Sequence, residues 1–161
     1  MDKQHRYELS VEWTGNRGEG TASYRSYGRD CVISAEHAAE IAGSADPAFR
    51  GNPSRWNPEQ LLLAAAAQCH MLSYLHQAAV NGVVVTRYVD HPTAVMTEDG
   101  DGGGAFTEIT LHPVVSVTDE AMVELAGSLH PAASRGCFVA SSLSVPVRHE
   151  ATTVVRDRAA S

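Results

Sequence analysis

Hydrophobic and polar residues alternate along the first part of the chain in the pattern of β-strands. Apolar side chains at every second position indicate one strand before a glycine-rich turn at 14–20, and further strand-like positions follow it. These positions are Tyr7, Leu9, Val11 and Trp13 before the turn and Ala22, Tyr24, Cys31, Val32 and Ile33 after it. The pattern predicts an antiparallel meander over residues 6–34. Residues 34–56 are small, polar and proline-containing, and they are predicted as loop with at most a helical turn at 35–41.

The strongest pattern in the chain predicts a helix over about residues 58–80. Asn57 is a favoured N-cap residue, Pro58 suits the first helical position, and Gln60 completes a capping box. Gly82 provides a stop signal after the last turn. Apolar side chains cover most of the circumference of this helix, which predicts that it is buried at the centre of the fold.

The pattern returns to strands after the helix. Strands over 83–96 and 106–117 flank a loop rich in Gly and Asp at 98–104, which predicts a long β-hairpin. A second helix is predicted at 119–129, capped by Thr118 and stopped by His130 and Pro131. After a break at 131–136, the pattern predicts a helical turn at 137–142, a strand at 145–150 and a disordered tail at 156–161.

Strands and helices therefore occur in separate runs rather than in strict alternation. This order predicts an α+β fold with an antiparallel sheet packed on the long buried helix. The length of 161 residues fits a single domain, residues 1–161, with its core at about 6–150.

Charge and hydropathy exclude several classes of protein. The net charge is −7 and the 12 basic residues are scattered, whereas a nucleic-acid-binding surface gathers Lys and Arg on one face. No apolar run approaches the roughly 20 residues of a membrane span, and the first residues do not resemble a secretory leader. We therefore expect a cytoplasmic protein that binds neither nucleic acid nor membrane.

The three cysteines are the first candidates for chemistry. They are too few and too far apart for a disulfide scaffold, and no CxxC pair suggests a zinc site. Cys69 lies in the middle of the long helix, where a buried thiol by itself is more often packing than chemistry. His70 follows it, but adjacent helical residues point about 100° apart, so His70 is predicted to pack or to form hydrogen bonds.

Three segments of the sequence resemble the OsmC/Ohr family of hydroperoxide reductases. They are NPEQLLLAAAAQCHMLSYL at 57–75, WTGNRGEG at 13–20 and CFVASSLSV at 137–145. The likeness covers about residues 6–150. It implies an intertwined α+β homodimer, in which two long central helices lie between sheets and each active site lies at the dimer interface.

The resemblance also implies roles for four residues. Cys69 matches the peroxidatic cysteine of the family and Cys137 matches the resolving cysteine. Arg17 matches the arginine that holds the thiolate, and Glu59 matches the glutamate that fixes this arginine. Without the resemblance, Arg17 would be read as a solvated turn residue, Glu59 as a carboxylate complementing the helix dipole and Cys137 as a buried cap. In Ohr members a proline commonly follows the second cysteine, whereas Phe138 follows it here.

Helix geometry constrains how these residues could meet. Ten residues at about 1.5 Å each place Glu59 and Cys69 roughly 15 Å apart on one helix, on different faces. We therefore expect the glutamate, and with it the arginine, to reach the thiol from the other subunit of a dimer.

The activity implied by the resemblance is thiol-dependent reduction of organic hydroperoxides to alcohols. It requires no metal, flavin or haem, and an external dithiol, in this family a dihydrolipoyl protein, reduces the resulting disulfide. Two other functions are considered. One is an OsmC-like protein that binds a hydrophobic ligand at the dimer interface without turnover. The other is a metal site built from some of the eight histidines, although no pair has HxxxH or CxxH spacing.

Overall fold

The computed structural model describes residues 3–156, and the chain divides into two compact units between Leu62 and Leu63. The first unit holds a three-stranded antiparallel sheet. Its strands are β1 (Ser10–Trp13), β2 (Cys31–Ser34) and β3 (Ile41–Gly43), in that order across the sheet. Of the meander predicted over residues 6–34, the pairing of β1 with β2 is present, but Ala22 and Tyr24 are not in a strand and the third strand of the sheet lies beyond this range. Of the predicted tail at 156–161, all but Arg156 lies outside the described residues.

Strand β3 lies in a segment that was predicted as loop, and the helical turn predicted at 35–41 is not formed. The three residues of β3 are too few to show an alternation, and they form a strand because they pair with the edge of β2. Gly43 sits opposite Cys31, and a Cβ atom at this glycine would lie 2.7 Å from the Cys31 Sγ. The glycine therefore allows the two strands to approach. A short 3-10 helix follows at Pro47–Phe49.

Helix α1 (Pro58–Val80) has the bounds that its caps predict. The capping box is complete, because the Gln60 amide donates to the Asn57 Oδ1 at 2.8 Å and the Asn57 amide donates to the Gln60 Oε1 at 3.2 Å. At the other end Gly82 takes a φ of 76° and the Val83 amide donates to the Ala78 carbonyl at 2.9 Å. No helix within residues 3–156 is long and apolar enough to cross a membrane.

The prediction that α1 is buried around its circumference is wrong for the single chain. His70, Tyr74 and Ala78 are buried at helical spacing. An exposed stripe also runs along the helix at spacings of four residues, and it consists of Ala64, Gln68, Leu72, His76 and Val80. Leu72 leaves 57% of its surface exposed. One chain thus covers only part of this apolar helix.

The second unit replaces the predicted long hairpin with four shorter strands. These are β4 (Val85–Val89), β5 (Thr93–Glu98), β6 (Gly104–Leu111) and β7 (Val114–Val117). Pro92 and Pro113 interrupt the two predicted strands at facing positions, since proline cannot donate to a strand ladder. The Asp90 Oδ1 accepts a hydrogen bond of 2.7 Å from the His112 amide across this break. The two halves of the hairpin consequently lie in different sheets.

The sequence pattern predicts an antiparallel sheet, but the sheets of the second unit also contain parallel pairs. Strand β8 (Val147–His149) pairs in parallel with β6, and β9 (Thr152–Val155) pairs in parallel with β7. The predicted strand at 145–150 is therefore shorter, and a further strand follows it. Parallel pairing needs a long connection, and the helices between β7 and β8 provide it.

Three short helices form this connection: α2 (Val123–Ser128), α3 (His130–Arg135) and α4 (Phe138–Ser141). A 3-10 turn at Glu120–Met122 precedes them, capped by Asp119 rather than by Thr118. His130 and Pro131 do not end a helix but begin α3, because a proline in the first turn of a helix loses no hydrogen bond. The break predicted at 131–136 is thus helical, and the turn predicted at 137–142 is confirmed.

The core of the second unit consists of two clusters. The larger joins α1, the short helices and the sheet of β4 and β7, and contains Tyr74, Ala78, Val83, Val115, Val117, Ala126, Leu129 and Ala133. The smaller contains Ala67, Ile109, Leu111 and Val145. The Tyr74 hydroxyl donates to the Ala126 carbonyl at 3.1 Å, so this buried tyrosine also fixes α2.

Candidate active site: paired thiols beside a histidine cluster

Cys69 and Cys137 are far apart in the sequence but neighbours in the second unit. Cys69 lies in the middle of α1 and is partly exposed, whereas Cys137 lies between α3 and α4 and is 1% exposed. Both are free thiols, and the Cys69 side chain is near enough to Cys137 to raise the pKa of the Cys137 thiol. The structure thus brings together the two cysteines that the sequence singled out.

The surroundings of Cys137 keep its thiol protonated. Burial raises its pKa to about 11, and hydrogen bonding to the Cys69 thiol acts in the same direction. The Ala140 amide donates to the Cys137 Sγ at 3.4 Å, and this hydrogen bond lowers the pKa by a smaller amount. Through the same contact the sulfur caps the N-terminus of α4. At neutral pH Cys137 is therefore a buried thiol beside a more accessible one.

Cys137 lies near α1 because α3, which precedes it, is in close contact with α1. The Ser73 hydroxyl, one turn after Cys69 on α1, donates to the Ala133 carbonyl at 2.8 Å. A Cβ atom at Gly136 would lie 2.7 Å from the Ser73 Oγ. A glycine before Cys137 thus lets the chain pass this close to α1.

A cluster of histidines lies on the adjacent face of α1, one residue along the chain from Cys69. We use the name histidine cluster for His70, His130 and His149 together with Ser134. The His70 Nε2 and the His130 Nδ1 are 3.1 Å apart, and the two rings are nearly parallel. The Ser134 Oγ lies 3.5 Å from the His70 Nδ1 and 3.3 Å from the His149 Nδ1. The cluster therefore links α1, α3 and β8.

The buried members of the cluster are neutral at pH 7. Burial, with a smaller contribution from the nearby His149, lowers the pKa of His70 to about 4. Burial also lowers the pKa of His130 to about 4, with added effects of His70 and His149. The prediction that His70 packs or forms hydrogen bonds is confirmed. Within residues 3–156, no group of three or more His, Cys, Asp or Glu residues is arranged to hold a metal ion.

Arg17 and Glu59 belong to the first unit. Arg17 lies in an ordered loop, in which the Asn16 Oδ1 accepts from the Gly18 and Gly20 amides at 2.9 and 3.1 Å. It lines a cavity of about 370 Å³ together with other residues, which include Arg29 and Arg50. Asp30 also lines it, so the lining residues carry three positive charges and one negative charge.

Glu59 lies in the first turn of α1, and its Oε2 is buried without a hydrogen-bond partner among residues 3–156. No ion pair joins it to Arg17 in this part of the chain. Burying a carboxylate oxygen without a hydrogen-bond donor costs free energy, so the Glu59 Oε2 would be stabilised by a donor from outside this chain.

Sequence reasoning did not find His130, Ser134 or His149, and did not find the contact of Ser73 with α3. His130 was assigned to the end of a helix, and Ser134 to a break. Their spacing in the sequence is irregular, because three separate elements contribute to the cluster. The one available signal was His70, a polar residue on an otherwise apolar helix face.

The fold and the thiol pair define an α+β protein with two neighbouring cysteines, one on its longest helix and one at the start of α4. The family model for OsmC-like proteins matches residues 51–151, which is more than half of the chain. The chain belongs to the OsmC family. No curated protein matches the sequence.

Solved structures agree with this assignment. An OsmC-like protein of unknown function from Vibrio cholerae is 25% identical, with a TM-score of 0.81 over 92% of this chain and 99% of that chain. An organic hydroperoxide resistance protein from Elizabethkingia anophelis is 15% identical, with a TM-score of 0.69 over 97% and 100% of the two chains. Another from Legionella pneumophila is 14% identical, with a TM-score of 0.64 over 96% and 100%. The last two likenesses establish the shared fold.

Proposed function

We propose that this protein is a thiol-dependent peroxidase that reduces organic hydroperoxides to alcohols in defence against oxidative stress in the cytoplasm. The observation that carries the proposal is the pairing of a partly exposed Cys69 with a buried, protonated Cys137. The exposed thiol can meet a substrate, and the buried thiol can then reach the product of that reaction. Membership of a family with members named organic hydroperoxide resistance proteins supports the choice of substrate.

The proposed reaction has three steps. The Cys69 thiolate attacks the distal oxygen of the hydroperoxide, so that an S–O bond forms, the O–O bond breaks and the alkoxide leaves as the alcohol after taking a proton. The Cys137 thiol then condenses with the Cys69 sulfenic acid, which forms the disulfide and releases water. An external dithiol, which we propose to be a dihydrolipoyl protein, reduces the disulfide and is itself oxidised.

Arg17 and Glu59 are proposed to complete the site from a second subunit. A guanidinium would stabilise the Cys69 thiolate and orient the peroxide. The unpartnered Oε2 of Glu59 supports a site completed on assembly, since an arginine would satisfy it. Large apolar side chains left open on the second unit also support a homodimer, among them Leu72, Val80 and Phe138.

Mass spectrometry after one equivalent of cumene hydroperoxide tests the reaction. The protein should lose two hydrogens, and peptide mapping should find one disulfide between Cys69 and Cys137. Cys31 serves as the internal control, because it should remain a free thiol. Unreacted thiols would contradict the peroxidase and favour an OsmC-like protein that binds a hydrophobic ligand without turnover.

Mixing two inactive subunits tests whether the sites are shared. Arg17→Ala and Cys69→Ser homodimers should each be inactive. An equal mixture that exchanges subunits should regain about a quarter of the wild-type rate, because half of its dimers would be mixed and each would hold one complete site. A mixture as inactive as its parents, once subunit exchange has been verified by native mass spectrometry, would place both groups of each site in one chain.

A further inference from the structure

The histidine cluster lies beside the proposed thiol pair and has no role in the three reaction steps. Two of its members are too deeply buried to meet a substrate, since His70 is 2% and His130 is 1% exposed. Two buried imidazoles beside a half-buried third are a costly way to fill a core that aliphatic side chains could fill. Their positions on α1, α3 and β8 suggest that they hold these elements together.

One unpartnered atom assigns the direction of the hydrogen bonds. The His130 Nε2 is buried without a partner among residues 3–156. A buried N–H without an acceptor is rarer than a buried acceptor without a donor, so this nitrogen carries no proton. The His130 Nδ1–H then donates to the His70 Nε2, and the His70 Nδ1–H points to the Ser134 Oγ. Ser134 in turn donates to the His149 Nδ1, which makes a directional chain of neutral groups.

This chain of hydrogen bonds is coupled to Cys137 through Ser134. The Ser134 side chain lies between two imidazoles, and its carbonyl accepts from the Cys137 amide at 3.2 Å. His130 is fixed on its other side by the Tyr74 ring, with a distance of 4.2 Å between the ring centres. A displacement of α3 from α1 would thus move the backbone of Cys137 as well.

We propose that His70, His130 and His149, linked by Ser134, form a positioning device that holds the Cys137 thiol against Cys69 and thereby favours the disulfide between them. His130 and Ser134 are positioning residues rather than catalytic residues. The role of this device in catalysis rests on the proposed function. Its effect on the disulfide between Cys69 and Cys137 can nevertheless be measured as a thiol-disulfide equilibrium, without any peroxide.

Equilibration with glutathione tests the proposal in the full chain, with Cys31→Ser in every variant. The Cys69 thiolate attacks oxidised glutathione and releases one reduced glutathione, and Cys137 then displaces the second. Two electrons and two protons pass from the protein to one oxidised glutathione. The equilibrium constant gives the effective concentration of the two cysteine thiols, which depends on how well they are held together.

The variants remove or restore single hydrogen bonds. His130→Leu should lower the effective concentration by about tenfold or more, because it breaks a buried hydrogen bond, and Ser134→Ala by several-fold, because the bonds it breaks are part-buried. His130→Asn should stay within about threefold of wild type, since its amide N–H can replace the Nδ1–H of histidine. Val117→Ala is the control for general destabilisation, because this core residue lies outside the cluster, and it should stay within about twofold.

Two results would overturn the proposal. One is a wild-type effective concentration in both His130→Leu and Ser134→Ala, and the other is an equal fall in Val117→Ala. Ser134→Ala removes a single oxygen, so it keeps the test decisive if His130→Leu folds poorly. A protein that fails to reduce peroxides but shows the expected series would refute the peroxidase and leave the positioning device intact.

Discussion

Replacing Cys69 with serine should lower steady-state reduction of cumene hydroperoxide by at least about a thousandfold, as loss of a nucleophile does in other enzymes. A serine hydroxyl is not ionised at neutral pH and cannot accept the peroxide oxygen in the same way. Cys137→Ser should behave differently. Its first turnover should keep the wild-type rate, because Cys69 is intact, and later turnovers should stall at the sulfenic acid.

Single-turnover kinetics with a lipoyl reductant measure both effects, and labelling with dimedone traps the sulfenic acid. Cys31→Ser is the matched control and should retain the full rate, because this cysteine belongs to the sheet of the first unit. Equal losses in the first turnover of the Cys69 and Cys137 variants would contradict the assigned roles. Substantial turnover by Cys69→Ser would refute Cys69 as the nucleophile.

Acid should destabilise the protein through its buried histidines. The pKa of His70 and that of His130 fall from 6.5 to about 4 on folding, so the unfolded chain binds more protons between these values. The stabilisation is complete above about pH 6.5 and is lost as the pH falls toward 4. Each histidine accounts for about 3 kcal/mol over this window, since one pKa unit corresponds to about 1.4 kcal/mol.

Urea unfolding between pH 4 and 7.5 measures this dependence. His130→Asn cannot titrate, so the slope of its free energy of unfolding should be shallower by about one proton, or about 1.4 kcal/mol per pH unit. His76→Asn is the matched control, because His76 lies exposed on the same helix, and it should follow the wild type. The difference between variant and wild type also removes the contribution of Asp90, whose carboxyl pKa is raised by burial. Parallel curves for His130→Asn and wild type would contradict the prediction.

The elements that local signals define were predictable from the sequence. Asn57, Gln60 and Gly82 fix the ends of α1 by hydrogen bonds within a few residues, and the structure reproduces these ends. The two cysteines were also found, through a resemblance to a known family rather than through periodicity. Glu59 and Arg17 were named in the same way, and their roles remain proposals.

The errors lie where distant contacts override local preference. Ile41–Gly43 is a strand because β2 lies beside it, and no pattern within three residues could reveal this edge. His130 and Pro131 look like a helix stop, yet α3 begins there because packing on α1 supports a new helix. The parallel pairing of β8 and β9 was missed for the same reason, since it depends on strands about 40 residues away.

The sequence by itself determined the α+β class and the bounds of α1 through local patterns and hydrogen bonding, and its resemblance to a known family singled out Cys69 and Cys137 as candidates. Only the tertiary structure decided that Cys137 is buried, protonated and beside Cys69, and that Ser134 lies between His70 and His149 near them. A pKa is set by burial and by neighbours that the chain brings from afar. Folding therefore distinguishes the two thiols, which have the same chemistry in the unfolded chain.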